Sequence, residues 1–288
     1  MTLYKSDMST FYVDDDGVSD FTDDNGEAVI VADDAPVEPR VFTCHFVAVT
    51  APLDAVASVT GAWSLSRNML TSFGTGTRYT GGAEVVTLED QSGNNRDFSN
   101  TASVGVCPIP VTAFPANILC ADFDGSNDAL ISVATSNFFT SSSGALIISL
   151  IMDAVSANNA TSFQNHPIFT DPSGIYIGLF ARNLSGVTFM AYNWDGGEDQ
   201  TSVTGSVGTA YVLMWRHHGG NLYVSINGGT ETSVSSSNTV NMASFLRLGE
   251  GGSQHGNMKI AEMFTTSDGS QTAALAAAIA NMKAYCGA

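Results

Sequence analysis

The sequence has little positive charge. Its 288 residues include 10 Lys and Arg against 28 Asp and Glu, which gives a formal net charge of −18. A chain this acidic repels the phosphates of nucleic acids and of anionic lipids, so both are disfavoured as partners. The first 40 residues hold 11 acidic side chains against two basic ones and so carry half of this net charge.

Long apolar runs are also missing. The strongest one, ALIISLIM at 145–152, is far shorter than the roughly 20 residues that a helix needs to cross a bilayer. The first ten residues, MTLYKSDMST, lack the basic stretch and apolar core of a secretory signal. We therefore predict a chain that is made in the cytoplasm and has no membrane partner.

The cysteines lack the spacing of a metal or redox motif. The four of them are Cys44, Cys107, Cys120 and Cys286, and the absence of a CxxC pair excludes a zinc knuckle and a thioredoxin-type motif. A cytosolic chain of this size needs no disulfides for stability, so we predict free and mostly buried thiols. A disulfide between Cys107 and Cys120 is the alternative.

Composition divides the chain into two parts. Residues 1–50 contain acidic clusters and turn-forming Asp-Gly and Asn-Gly pairs, which predict an extended acidic arm for attachment and assembly. Residues 51–288 hold enough apolar side chains for a substantial core, and we assign them to one globular domain.

The alternation of apolar and polar residues favours strands from about residue 84 onwards. Short segments rich in β-branched and aromatic residues are separated by Gly, Ser and Asn, as is typical of a sandwich. The segment 145–152 is apolar on both faces, which predicts a central strand covered from both sides. After NLYVSI, the pair Asn227-Gly228 predicts a tight type I′ turn.

Two helices are predicted. In GAWSLSRNMLTSFG, residues 61–74, apolar side chains can gather on one side of a helix; they are Trp63, Leu65, Met69, Leu70 and Phe73.

The second helix lies at the end of the chain. Intervals of four, three and four residues separate the members of its apolar face, which are Leu275, Ile279, Met282 and Cys286. Asp268 and Ser270 are the candidate N-caps, and Gly287 follows the expected end of the helix.

Residues 121–133, ADFDGSNDALISV, combine a carboxylate cluster with a strand pattern. In a strand Asp122 and Asp124 share one face while Phe123 points to the other, so we expect Phe123 in the core and the carboxylates in solvent. Gly125 and the polar residues after it then predict a turn. A calcium site and a catalytic site are the alternatives.

Several segments, in this order, resemble the landmarks of laminin-G-like, concanavalin-A-like jelly rolls: TLEDQSGNNRDFSN (87–100), ADFDGSNDAL (121–130), LYVSINGG (222–229), FLRLGEGG (245–252) and MKIAEMFTTSDGSQTAALAAAIA (258–280). AWSLSRNML (62–70) is similar to the start of the arabinofuranosidase-B-like variant of this family, which is found in bacteriophage structural proteins. The resemblance implies a mainly β fold with two sheets, a short helix on the N-terminal side and a C-terminal helix.

Enzymes of this fold mostly cleave glycosidic bonds with two carboxylates. Some carry the acids as E-x-D-x-E on one strand, but here Glu84 precedes two valines, Glu89 and Asp90 are adjacent, and Asp122 and Asp124 lack a third member. We therefore predict no catalytic residue, and an arabinofuranosidase-like glycosidase is the alternative.

No metal or other cofactor is predicted, although calcium remains the alternative named for the carboxylate cluster. His217 and His218 are neighbours on a predicted strand. They therefore point to opposite faces and cannot bind one metal ion as a pair.

The segment AYNWDGGEDQ, residues 191–200, is the candidate binding site. Tyr192 and Trp194 share one face of a predicted strand, next to Asp195 and Glu198. An aromatic ring flanked by carboxylates can stack on a sugar and hydrogen-bond its hydroxyl groups. The alternative is that both aromatic residues are half-buried parts of the sandwich.

The resemblance implies a non-enzymatic structural protein of a bacteriophage virion, as a capsid decoration, a head fibre or a tail-associated protein. Its expected partners are other virion proteins, bound through residues 1–50, and a cell-surface glycan, and we expect a homo-oligomer. A carbohydrate-binding module outside a virion and a glycoside hydrolase are the alternative functions.

Overall fold

The chain divides into two compact units, Met1–Ala48 and Val49–Ala288. The computed structural model describes residues 11–13, 40–42, 53–73, 78–81, 83–100, 107–132, 138–140, 142–155, 166–170, 177–183, 186–194, 197–236, 246–251 and 254–288. In the first unit, β1 (Phe11–Val13) pairs with β2 (Arg40–Phe42) in antiparallel fashion. The rest of the predicted acidic arm lies outside the described residues.

Strands dominate the second unit. In chain order they are β3 (Val59–Ser64), β4 (Tyr79–Thr80), β5 (Thr87–Leu88), β6 (Phe98–Ser99), β7 (Ile109–Ala113), β8 (Ile118–Asp124), β9 (Leu130–Ser132), β10 (Ser143–Ala154), β11 (His166–Thr170), β12 (Ile177–Asn183), β13 (Val187–Trp194), β14 (Glu198–Gly205), β15 (Ala210–His218), β16 (Asn221–Ile226), β17 (Thr232–Ser235), β18 (Arg247–Leu248), β19 (Glu250–Gly251), β20 (Gln254–His255) and β21 (Asn257–Thr266). The helical elements are two 3-10 helices, Leu53–Ala55 and Thr71–Phe73, and the helix α1 (Thr272–Cys286).

The strands form two large antiparallel sheets. The first sheet has the order β17-β16-β15-β10-β21-β8-β7, with β3 also paired to β21. The second sheet has the order β14-β13-β12-β11-β18-β9-β6-β5-β4, and β19 and β20 form a separate ribbon. The mainly β, two-sheet sandwich predicted from the alternating pattern is therefore confirmed.

The main core lies between the two sheets. Alternate side chains of each strand point into it, since the pleat turns successive residues to opposite faces. Leu146 and Trp215 enter it from the first sheet, and Phe169 and Phe189 enter it from the second. The rings of Phe169 and Trp215 meet edge to face with centroids 6.0 Å apart, so the two sheets are in direct aromatic contact.

The centre of the first sheet is buried on both faces. In β10, Leu146 and Ile148 point into the sandwich core, while Ala145 and Ile147 belong to a second apolar cluster with Ile279 of α1. The prediction of a central strand covered from both sides is confirmed. No helix in the described part of the chain is both long and apolar enough to cross a membrane.

The C-terminal helix has the predicted apolar face but a different start. Leu275, Ile279, Met282 and Cys286 are all buried, as predicted. The N-cap is Gln271, without a side-chain capping bond, so the prediction of Asp268 or Ser270 as N-cap is wrong. Asp268 instead accepts hydrogen bonds from the backbone N–H and the hydroxyl of Ser270, which makes it part of the preceding turn.

The end of this helix is as predicted. Gly287 follows the last helical residue in the left-handed conformation with φ 70°, and its N–H donates to the carbonyl oxygen of Lys283. A glycine adopts this conformation without the steric penalty of a Cβ.

The helix predicted over residues 61–74 is wrong. Val59–Ser64 form strand β3 and Thr71–Phe73 a single 3-10 turn. The cause is tertiary: Trp63 and Leu65 are buried in the core between the sheets, whereas Met69 lies in the cluster beneath α1. These apolar residues therefore pack into two separate cores, whereas the apolar face of a single helix would pack into one.

The position of Phe123 shows how the carboxylate cluster at residues 121–133 is oriented. Its side chain is 0% exposed in the sandwich core, while Asp122 and Asp124 lie on the other face of β8. Asp122 is 3.4 Å from the Nζ atom of Lys259 on the neighbouring strand β21. The predicted orientation of all three residues is confirmed.

The residues after Phe123 form the predicted turn. The Asp124 carboxylate accepts hydrogen bonds from the N–H groups of Ser126 and Asn127, at 2.7 and 3.3 Å. The N–H of Asp124 donates to the Asp128 carboxylate at 2.8 Å. Burial raises the pKa of Asp128 to about 6. Two of these carboxylates thus satisfy backbone N–H groups of the turn.

The predicted turn after β16 is also confirmed. Asn227 and Gly228 both have positive φ, at 53° and 70°, and the N–H of Gly229 donates to the carbonyl oxygen of Ile226 at 2.9 Å. Two central residues with positive φ are the mark of a type I′ turn.

The cysteines that the structure describes are free. Cys107, Cys120 and Cys286 are buried thiols, so free thiols are confirmed for these three and the alternative disulfide between Cys107 and Cys120 is wrong. Burial raises the pKa of Cys120 to about 12, which keeps this thiol protonated and unreactive. Cys44 lies outside the described residues.

A buried ion pair joins the segment after β3 to β21 and α1. The Arg67 guanidinium donates to both carboxylate oxygens of Glu262, at 2.6 and 2.9 Å, and lies 4.1 Å from the ring centroid of Tyr285 in α1. Burial raises the pKa of Glu262, and Arg67 opposes this shift. Glu262 is thus committed to a structural contact.

We expect Phe123→Ala to lower the free energy of unfolding by about 3–5 kcal/mol, because it removes a fully buried ring and leaves a cavity. Urea denaturation monitored by Trp fluorescence measures the change. Ile109→Ala is the control, since Ile109 is 48% exposed on the neighbouring strand β7 and should change stability by about 0.5 kcal/mol or less. Equal effects of the two substitutions would contradict the placement of Phe123.

Candidate functional site

The outer face of strands β12, β13 and β14 carries the candidate site. Leu179, Ala181, Phe189 and Ala191 point inward into the core. Their neighbours along the strands therefore point outward. We define the outer face by these neighbours and their cross-strand partners: Phe180, Arg182, Thr188, Met190, Tyr192, Gln200 and Ser202.

An aromatic pair occupies the middle of this outer face. The rings of Phe180 and Tyr192 meet nearly edge to face, with centroids 6.1 Å apart and an interplanar angle of 87°. Gly178 makes room for this pair, since a Cβ atom there would lie 2.3 Å from the Phe180 ring. The pair forms an apolar platform in which Phe180 is buried, at 8% exposed, and the partly buried Tyr192, with its polar hydroxyl group, supplies the accessible surface.

A shallow depression of about 270 Å³ lies beside the platform. Its lining consists of Arg182, Met190, Gln200, Thr201 and Ser202. It offers guanidinium and amide donors, amide and hydroxyl acceptors, and the apolar side chain of Met190. Apolar contact together with a few polar groups of this kind is typical of small-molecule sites.

Glu198 lies near the other end of the platform. Its side chain is exposed on β14, and its backbone pairs with that of Trp194. Burial raises the pKa of Tyr192 to about 12, and the charge of Glu198 contributes to the shift. The hydroxyl of Tyr192 therefore stays protonated at neutral pH and can donate a hydrogen bond.

The structure brings part of the predicted site together. Tyr192 is partly buried and Glu198 is exposed. Trp194 is the last residue of β13, and Asp195 lies outside the described residues. The binding role of these four residues stays a prediction.

Sequence reasoning missed the second half of this face. Phe180 and Arg182 come from IGLFARN of β12, where the period-two alternation marks them as outward residues. Gln200 and Ser202 come from β14, whose side chains are alternately exposed and partly buried. The alternation could have identified the outward set, but the pairing of β12 with β13 and β14 appears only in the folded sheet.

A second depression, of about 560 Å³, contains acidic residues of the loop at 89–97. Glu89 and Asp97 both line it. Burial raises the pKa of Glu89, and the charge of Asp97 and a hydrogen bond between the two side chains raise it further. The side chains of Glu89 and Asp97 thus interact with each other.

Asp90 in the same loop has a structural role. Its carboxylate accepts hydrogen bonds from the N–H groups of Ala62, Ser92 and Arg96, at 3.1, 2.9 and 3.1 Å, and from the Ser92 hydroxyl at 2.8 Å. Together these donors hold the Asp90 side chain in place. Asp90 therefore ties the loop to β3.

Polar side chains are buried at the end of the sandwich close to β14. His217 is 2% exposed. Nearby, Asn193 donates to the hydroxyl of Ser236 at 3.2 Å, and both of these residues are also buried. His218 is only partly buried, so the prediction that the two histidines point to opposite faces of β15 is confirmed.

Burial lowers the pKa of His217, and the charge of His218 lowers it further. Hydrogen bonds with the backbone of Ser142 and Ser236 and the charge of Asp199 oppose this shift. Within the described ranges, no group of three or more His, Cys, Asp or Glu side chains is placed to hold a metal ion.

Comparisons with known proteins identify the fold. No protein-family model and no curated protein sequence matches the chain. Among solved structures, the chain is similar to an arabinofuranosidase complexed with arabinofuranosyl-α-1,2-xylobiose, with a TM-score of 0.58 and 12% identity over 78% of this chain and 62% of that one. A GH54 α-L-arabinofuranosidase soaked with a cyclic sulfate inhibitor gives a TM-score of 0.59 and 13% identity over the same shares.

A toxin domain is also similar. The binding domain of botulinum neurotoxin serotype D matches with a TM-score of 0.52 and 12% identity, over 77% of this chain and 51% of that one. The chain thus spans less than two thirds of the length of each of these proteins. At such identities the likeness shows the fold alone, and it confirms the predicted jelly-roll type of β-sandwich.

His217 should make stability depend on pH. Its pKa is lower in the folded chain than the ordinary value of 6.5, so the unfolded chain binds more protons between the two values. The stability contributed by neutral His217 is therefore complete above about pH 6.5 and is lost as the pH falls towards the folded pKa.

We expect His217→Gln to lose less unfolding free energy than the wild-type protein between pH 8 and pH 5, measured by urea denaturation at each pH. His166, whose pKa burial also lowers, adds to the loss in both proteins, whereas Asp128, whose pKa burial raises to about 6, opposes it in both. His218→Gln, which replaces the neighbouring and only partly buried histidine, is the control for the loss of an imidazole from this strand. An unaltered slope in His217→Gln would refute the assignment.

Proposed function

We propose that the protein is a non-enzymatic binding protein and that the outer face of β12, β13 and β14 binds a glycan. The observation that supports this most is the combination of the Phe180–Tyr192 platform with the polar rim of the depression beside it. A sugar ring has an apolar face of C–H groups and a rim of hydroxyl groups. The outer face offers a matching surface for both.

The form of the site also favours a sugar. The depression is shallow and lies on a regular sheet, so strand pairing fixes the backbone positions of its lining residues before any ligand binds. Such preorganisation reduces the conformational entropy lost on binding. One of the similar structures is an arabinofuranosidase complexed with arabinofuranosyl-α-1,2-xylobiose, which supports a sugar as the ligand.

The buried acids support a non-enzymatic role. Glu262 is paired with Arg67, and Asp90 accepts hydrogen bonds from the loop that it ties down. Hydrolysis of a glycosidic bond requires two acids on opposite sides of the bond. These carboxylates do not have that arrangement.

We further propose that the protein belongs to a bacteriophage virion, in which a homo-oligomer displays the sandwich and residues 1–50 attach it to other virion proteins. Support comes from the resemblance of the sequence to phage structural proteins and from the acidic composition of the first residues. An extended segment that becomes ordered on assembly can cover a large partner surface. The separate compact unit Val49–Ala288 is consistent with a displayed domain.

We expect Tyr192→Ala to weaken glycan binding by about tenfold, because one aromatic contact contributes roughly 0.5–1.5 kcal/mol beyond its buried area. A glycan array identifies the ligand, and calorimetry with the best one measures the dissociation constant. Tyr223→Ala is the control, since Tyr223 lies on the first sheet. Absence of any glycan ligand for the wild-type protein would refute the proposed function.

The virion role has its own test. Deletion of residues 1–40 should abolish co-purification with phage particles while the far-UV circular dichroism of the sandwich is retained. Particles assembled with the full-length chain are the control. Attachment that survives the deletion would show that this segment is not the anchor.

A further inference from the structure

We propose that the glycan bound by the outer face is an amino sugar with a free ammonium group, and that Glu198 binds this group beside the ring of Tyr192. This inference rests on the proposed function and names the class of ligand. It concerns the end of the outer face where β13 and β14 pair through Trp194 and Glu198.

Strand pairing brings Glu198 to the same face as Tyr192. Tyr192 lies directly opposite Gln200, and Glu198 lies two residues before Gln200 in β14, so all three side chains point to the outer face. A diagonal neighbour of this kind on the adjacent strand is within reach of an aromatic side chain. The charge of Glu198 contributes to the raised pKa of Tyr192, which is consistent with this proximity.

The Glu198 carboxylate is available to a ligand. Its side chain is exposed, and it forms no hydrogen bond or ion pair with any residue in the part of the chain that the structure describes. Five other acids of the sandwich already pair with a basic residue; they are Asp122, Asp153, Glu231, Glu250 and Glu262. The negative charge of Glu198 is therefore open to a cation from outside.

An ammonium group matches the groups that surround this charge. The face of an aromatic ring attracts a cation within about 6 Å of its centroid, and Tyr192 supplies accessible ring surface. An ammonium group has three N–H donors. The Glu198 carboxylate and the amide oxygen of Gln200, whose side chain is exposed, can accept them. The net charge of −18 also attracts a cationic ligand and repels an anionic one.

Arg182 on the same outer face lies too far away to oppose such a cation. It pairs with Thr188 of β13, which in turn pairs with Thr204 of β14. Thr204 lies six residues after Glu198, which corresponds to about 20 Å along an extended strand. Since the screening length at physiological ionic strength is about 8 Å, the guanidinium has little effect at Glu198.

The experiment compares matched probes by calorimetry at about pH 6, where amino groups are protonated. The probes are β-1,4-linked trisaccharides of glucosamine and of galactosamine, each with free amino groups or with every amino group acetylated. Acetylation removes the positive charge and keeps the sugar backbone. We expect one amino trisaccharide to bind about tenfold more tightly than its acetylated form, because an exposed ion pair and a cation–π contact act together. Added salt should reduce this preference.

Substitutions locate the preference. Glu198→Gln should abolish it, because the amide keeps the shape of the side chain and removes its charge. Glu84→Gln removes one negative charge at another exposed position, between β4 and β5, and is the matched control that should retain the preference. Thermal melting shows whether each variant is folded.

The outcomes separate the two claims. Equal binding of the amino and acetylated forms would overturn this inference. So would a preference that survives in folded Glu198→Gln, which would point to the size of the acetyl group, or one that falls equally in Glu84→Gln, which would point to net charge alone.

The glycan array tests the proposed function separately. If it yields a neutral ligand whose binding Tyr192→Ala weakens, and neither amino trisaccharide binds, this inference is wrong and the proposed function stands. If the wild-type protein binds neither these probes nor any glycan on the array, both claims are wrong.

Discussion

The structure depends on the burial of its first sheet from both sides. Strands β10 and β21 carry apolar side chains on both faces, so they need a second sheet on one side and a helix on the other. The Arg67–Glu262 pair and the ring of Tyr285 join the segment after β3 and strand β21 to the helix. With its inner face packed on the first sheet, the second sheet has its other face directed away from the core, and we propose that this outer face binds the glycan.

The acidic residues of the sandwich show that carboxylates suggested as site residues by the composition can have structural roles. Asp90 and Asp124 each accept hydrogen bonds from backbone N–H groups of a tight turn, and Glu262 is held by Arg67. Loops between strands must satisfy their backbone groups, and carboxylates are strong acceptors for that purpose. A high density of aspartate is therefore compatible with a role in turn formation alone.

The proposed binding surface is the outer face of the second sheet. Its aromatic pair depends on Gly178, and its polar rim comes from alternate positions of β12 and β14. Strand pairing holds these side chains about 5 Å apart across neighbouring strands. The same regular spacing that packs the core thus arranges a preformed surface with a cation at one end and an acid at the other.

The sequence alone determined the alternation of strands, the doubly buried strand β10, the turn at Asn227 and the apolar face of α1, because these follow from local periodicity and turn chemistry. Only the tertiary structure decided that Val59–Ser64 form a strand, because Trp63 and Met69 enter different cores. It also decided that Arg182, Tyr192 and Ser202 share one surface, since their meeting depends on pairing between β12, β13 and β14, which no local pattern in the sequence specifies.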